Sequence, residues 1–184
     1  MKNTSVVLAL ALSLLVWAAP ARATTITFQA VLSGSNEVPP NGSIASGFGL
    51  FVFDDQGTAS ILDDTLSVNE TFAGLSANAT AAHIHNGAPG VSGPVVIPLV
   101  GFPGATSGSY VNVFALSALG AGEAAFEANL FAGNTYSNIH NANFPGGEIR
   151  GQLNAGPEPT TLLLVGTGVA GLVRARRRRR SLPE

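Results

Sequence analysis

His83, His85 and His140 are the chain's full complement of histidines, and no other residues in it have a type and spacing so suited to chemistry. His83 and His85 stand two apart in residues 80–85, a strand candidate. The pleat of a strand sends both rings to one face while Ile84 leaves on the other. His140 closes a second strand candidate, residues 136–140, with Ile139 turned inward. On a third, residues 148–153, Glu148, Arg150 and Gln152 form a polar face opposite Ile149, Gly151 and Leu153. If these strands are neighbours, three imidazoles and a carboxylate converge, and three histidines with an open position suit Zn or Cu. A structural reading stands beside this one. His83 and His85 precede the turn Asn86-Gly87, where an imidazole can bond a turn carbonyl and needs no metal. Arg150 is expected to pair with Glu37 or Glu148, a charge-assisted contact that fixes strand register.

Other chemistry is excluded by composition and pattern. There is no Cys among the 184 residues, so disulfides, thiol chemistry and thiolate metal sites are ruled out. No Gly-x-Ser-x-Gly elbow, Gly-x4-Gly-Lys loop or His-Glu-x-x-His helix occurs. The paired aspartates at 54–55 and 63–64 lack EF-hand spacing and read as solvated hairpin turns. Without a catalytic constellation, a non-enzymatic role is expected. Between residues 24 and 156 one Arg faces nine Asp and Glu, a net charge of −8. A surface this acidic repels phosphate backbones, so nucleic acid is not an expected partner.

The elements that position these residues follow from alternation and turn chemistry. The 22 Gly and 11 Pro suit many short strands with tight turns. Residues 25–32 alternate strictly, with Ile26, Phe28, Ala30 and Leu32 on one face. Residues 46–53, 58–62, 65–72, 95–99 and 109–114 complete the strand candidates. In 65–72 Glu70 shares a face with Leu66, Val68 and Phe72. A carboxylate is costly to bury, so an edge position or a bulge is expected there. The Ala- and Glu-rich stretch before Gly133 predicts one short helix over residues 122–132. The expected fold is all-β: an antiparallel two-sheet sandwich, Greek-key-like, with one short helix.

The two ends read as addresses. Lys2, the apolar run 6–17 and Ala21-Arg22-Ala23 describe a secretory signal peptide over residues 1–23, cleaved after Ala23 to leave Thr24. Such a segment is a substrate of the Sec export machinery. Residues 155–184 hold Pro157-Glu158-Pro159, an apolar run over 160–173 and an arginine cluster. Positive residues stay cytoplasmic, which places the preceding domain outside the inner membrane. The apolar run is shorter than the roughly 20 residues of an untilted span, a mismatch that snorkelling and bilayer thinning accommodate. This tail resembles the PEP-CTERM sorting signal, which implies processing by a membrane protease, exosortase, with transient anchoring by the C-terminal helix. A permanent single-pass anchor is the alternative.

Between the ends, residues 24–154 carry five ordered motifs. They are Leu32-Ser33-Gly34-Ser35-Asn36-Glu37-Val38-Pro39-Pro40, Ala82-His83-Ile84-His85-Asn86-Gly87, Gly93-Pro94-Val95-Val96, Gly133-Asn134-Thr135-Tyr136-Ser137-Asn138-Ile139-His140, and Phe144-Pro145-Gly146-Gly147-Glu148-Ile149-Arg150-Gly151-Gln152-Leu153. Together they resemble the CHRD domain, first named from chordin. The resemblance implies an exported cell-surface or matrix protein with a binding or structural role, whose ligand is an extracellular protein, a polysaccharide or an ion. His83-Ile84-His85 with Gly87 also resembles the copper-ligand strand of Cu/Zn superoxide dismutase. That likeness implies the alternative of a three-histidine metalloprotein with redox activity.

Overall fold

The computed structural model describes residues 24–156, so the signal segment with Ala21 and Ala23, and the sorting tail with Pro157, Glu158 and Pro159, lie outside the described residues. In chain order the elements are β1 (Thr25–Ser33), β2 (Ser46–Asp54), β3 (Thr65–Ala73), β4 (Ala79–Asn86), β5 (Val95–Pro98), β6 (Gly108–Ala115), α1 (Glu123–Phe131), β7 (Thr135–Asn141), β8 (Ile149–Gln152) and β9 (Asn154–Ala155). The strands form one antiparallel sheet in the order β5-β4-β7-β8-β1-β2-β3-β6, with β9 also on β1. The sheet curls so that its halves face each other across a shared core. Phe28, Leu32, Phe51, Leu66 and Val68 come from the β1-β2-β3-β6 half, and Ile84, Ile139 and Ile149 from the other. The expected antiparallel sandwich is thus present as two layers of one sheet. They join at a corner where β1 meets β8 through Ser33↔Arg150.

α1 forms over the expected stretch and buries Phe126 and Leu130, one turn apart on one face. A 3-10 stretch, Leu116–Gly122, precedes it. Gly133, at φ +71, ends it in the left-handed conformation, its N–H donating to the Leu130 carbonyl. Residues 58–62 are not a strand. Thr58 and Ser60 satisfy local backbone donors with their hydroxyls, and Ile61–Asp63 is a 3-10 turn. Such side chain–backbone bonds offer the chain an alternative to a ladder.

Glu70 is neither at an edge nor at a bulge. β3 lies between β2 and β6 in unbroken register, Gly49↔Glu70↔Tyr110. Its side chain is fully buried and accepts a hydrogen bond from Ser137 Oγ of the facing layer, at 2.6 Å. Gly49 makes the room, because a Cβ there would press on the Phe51 ring and on Glu70 Oε2. One hydroxyl from the opposite layer makes the burial tolerable, and no local pattern announces it.

Candidate metal centre

β4 and β7 are direct neighbours, with His83↔Asn138 and His85↔Tyr136 in register. His140 is therefore the diagonal neighbour of His83, two residues along β7. All three imidazoles leave the face opposite the core, since Ile84 and Ile139 beside them point inward and are fully buried. One nitrogen from each ring lies within 4.8 Å of the other two. A tetrahedral metal with N ligands at 2.0–2.1 Å would need nitrogens about 3.4 Å apart. The cluster needs only a modest contraction to close on an ion.

Hydrogen bonds fix the tautomers. His85 Nδ1 lies 2.9 Å from the Gly93 carbonyl oxygen, and His140 Nδ1 lies 3.1 Å from that of Pro145. A carbonyl only accepts, so both Nδ1 atoms carry the hydrogen and both Nε2 atoms present a lone pair. His140 Nε2 accepts from His83 Nδ1 at 3.2 Å. His85 Nε2 is buried without a partner. Backbone carbonyls that hold Nδ1–H and aim Nε2 are the outer-shell arrangement of metal-ligating histidines.

Electrostatics keeps the rings neutral. Burial pushes His140 down to about 4, the neighbouring His83 and His85 push the same way, and the Pro145 carbonyl opposes them. Burial also lowers His85, with the Gly93 carbonyl opposing, and lowers His83. Neutral imidazole is the form that binds a metal.

Two side chains that the motifs contain, but that sequence reasoning did not single out, support the cluster. Tyr136 stacks on His85, with centroids 4.8 Å apart and planes at 7°, and Arg150 Cζ sits 3.4 Å from the Tyr136 centroid. Asn138, buried on the same face, favours ionisation of Glu37. Tyr136, Asn138 and His140 share one parity on β7, a signal the sequence did hold.

The expected ion pair takes another form. Glu148 precedes β8, and its carboxylate accepts from Ser43 Oγ, the Ser76 N–H and Asn141 Nδ2, away from both Arg150 and the histidines. Arg150 instead donates through Nη2 to the carbonyls of Val91 at 2.9 Å and Ala88 at 3.2 Å. Its charge does favour ionisation of Glu37, but burial outweighs it and pushes that carboxyl up to about 7. The fourth, carboxylate donor expected near the histidines is therefore not part of the cluster.

Comparison with known families agrees with this ordered set of motifs. The CHRD domain model matches residues 28–153, from within β1 to the end of β8 and one residue beyond. The chain belongs to the CHRD domain family. A second match, to the PEP-CTERM protein-sorting motif, covers residues 157–180. The CHRD chain is thus an exosortase-sorted protein of the cell surface or extracellular space. Neither comparison with curated proteins nor comparison with solved structures finds a significant match.

Proposed function

We propose that this CHRD domain is a non-enzymatic binding module of the cell exterior that holds a divalent transition metal, Zn or Cu, on His83, His85 and His140. The carrying observation is that the three rings bring one nitrogen each within 4.8 Å of one another, while His85 Nε2 is buried and unpartnered. A buried acceptor without a donor is costly, and a metal ion repays that cost. His83 would give up its hydrogen bond to His140 Nε2 and turn a lone pair to the ion. The open position would face the solvent side, because His83 is only half-buried. When bound, the metal supplies a Lewis-acidic anchoring point for an extracellular ligand. Passage through the Sec machinery and transient anchoring in the inner membrane belong to the same reading, supported by the signal-like residues 1–23 and the sorting motif.

Adding Zn²⁺ or Cu²⁺ to the purified chain should raise its melting temperature, since a ligand that binds only the native state stabilises it by mass action. His85→Ala should abolish the gain. A melting temperature indifferent to both metals would leave the histidines as hydrogen-bonding structure only.

A further inference from the structure

A cleft of ≈ 740 Å³ is lined by both Arg150 and Glu37, and Arg150 sits over Tyr136, the ring that stacks on His85. Its volume is in the range of ligand pockets. Its chemistry is amphoteric. Glu37 is 7% exposed, and its Oε1 is buried toward Asn138 and Gly147, which leaves Oε2 to the cleft. All side-chain hydrogen bonds from Arg150 to described residues leave from Nη2, so Nε and Nη1 hold spare donors. Gln29 and Asn154, register partners across β1 and β9, are exposed at the cleft and supply further amide groups. Val31, 67% exposed, and Val38 add apolar surface.

Charge narrows the ligand class. An anion would meet the Glu37 carboxyl and a domain of net charge −8, and a cation would meet the Arg150 guanidinium. What fits is an uncharged molecule carrying donors and acceptors together, with apolar patches between them. We infer that this cleft binds a neutral carbohydrate, whose hydroxyls donate to Glu37 Oε2 and accept from Arg150, while a ring C–H face rests on Val31 and Val38. Each sugar hydroxyl both donates and accepts, so hydroxyls of one sugar match the Glu37 carboxyl and the Arg150 guanidinium that line the same cleft. None of the three histidines lines this cleft, and the inference does not require a bound metal.

The test is calorimetric titration of the full chain in a sugar-free detergent with EDTA present, using maltohexaose, cellohexaose and mannohexaose as neutral probes and hexagalacturonate as the acidic one. At least one neutral probe should bind, and Glu37→Gln should weaken it tenfold or more while the melting temperature is kept. Because Gln29 and Asn154 are exposed, Gln29→Ala with Asn154→Ala should stay folded and also weaken binding. The inference is overturned if no neutral probe binds, if hexagalacturonate binds as well or better, or if the Glu37 and Gln29/Asn154 variants bind like the parent.

Discussion

Glu70 lies fully buried between the two layers, where burial pushes its carboxyl up to about 7 against the pull of the Ser137 hydroxyl. A carboxyl raised in the folded state binds its proton more tightly there than in the unfolded chain. Its stabilising share is therefore complete below the unfolded value of 4.5 and is lost as pH rises through about 7. Glu70→Gln cannot ionise, so it should flatten this fall and gain on the order of 3 kcal/mol over the parent at pH 8. Urea melts of both proteins at pH 4.5 and pH 8 check this, and equal pH slopes would refute it. The histidines carry the opposite sign. Free imidazoles titrate near 6.5, which by itself predicts metal release near pH 5. With His140 held down to about 4 by burial, the metal-dependent gain should instead persist at pH 5.5 and fade toward pH 4, as melts with and without Zn²⁺ would reveal. The shared face of His83 and His85 was legible from the strand pleat. The burial of Glu70 was not, because its partner is 67 residues away in the sequence.

β7 explains why some of the site stayed hidden. Six of its seven residues are buried, on both faces, since one side meets the core and the other meets loops. Those loops contribute the Gly93 and Val91 carbonyls and Glu37, groups that periodicity does not place. Strands that alternate, such as β1 and β2, were legible almost to the residue, whereas residues 58–62 were misread because hydroxyl-to-backbone bonds outcompete a ladder there. The connection into β8 depends on Gly147, at φ +129, where a Cβ would collide with the Asn138 amide and Glu37 Oε1. L side chains disfavour that conformation, and the neighbours are themselves buried. Gly147→Ala should therefore cost roughly 1–3 kcal/mol from backbone strain. Gly146→Ala, which meets open space at an ordinary φ, serves as the control. Thermal melts that rank the two variants equally would remove the steric argument.

At the scale of the molecule, the charges fall into compartments: one Arg within residues 24–156, against an arginine cluster at 176–180 within the sorting motif. Under the proposed transient anchoring, this polarity would hold the arginines on the cytoplasmic side and the acidic domain outside. The sheet begins immediately at the expected processing point. Thr25 already pairs with Asp54, and the Thr24 nitrogen lies 2.6 Å from Asp55 Oδ1. Cleavage after Ala23 would convert that nitrogen from an amide into an ammonium at hydrogen-bond distance from a carboxylate, and the Asp55 carboxyl is already lowered by its bonds to Thr24 and Gly57. Being exposed, the pair should add little stability, but it should raise the pKa of the new terminus above its ordinary range of 7.7–8.0. Intact mass of the exported protein should begin at Thr24, and the terminal amine should titrate lower in Asp55→Asn than in the parent. A mass that starts at Met1 would refute the processing site, and an unchanged amine titration would refute the contact. At the other end, Glu158→Ala should leave the tail attached if recognition of Pro157-Glu158-Pro159 drives sorting. Tail removal at the parent's rate in that variant would mean that the protease reads the apolar run and arginines instead.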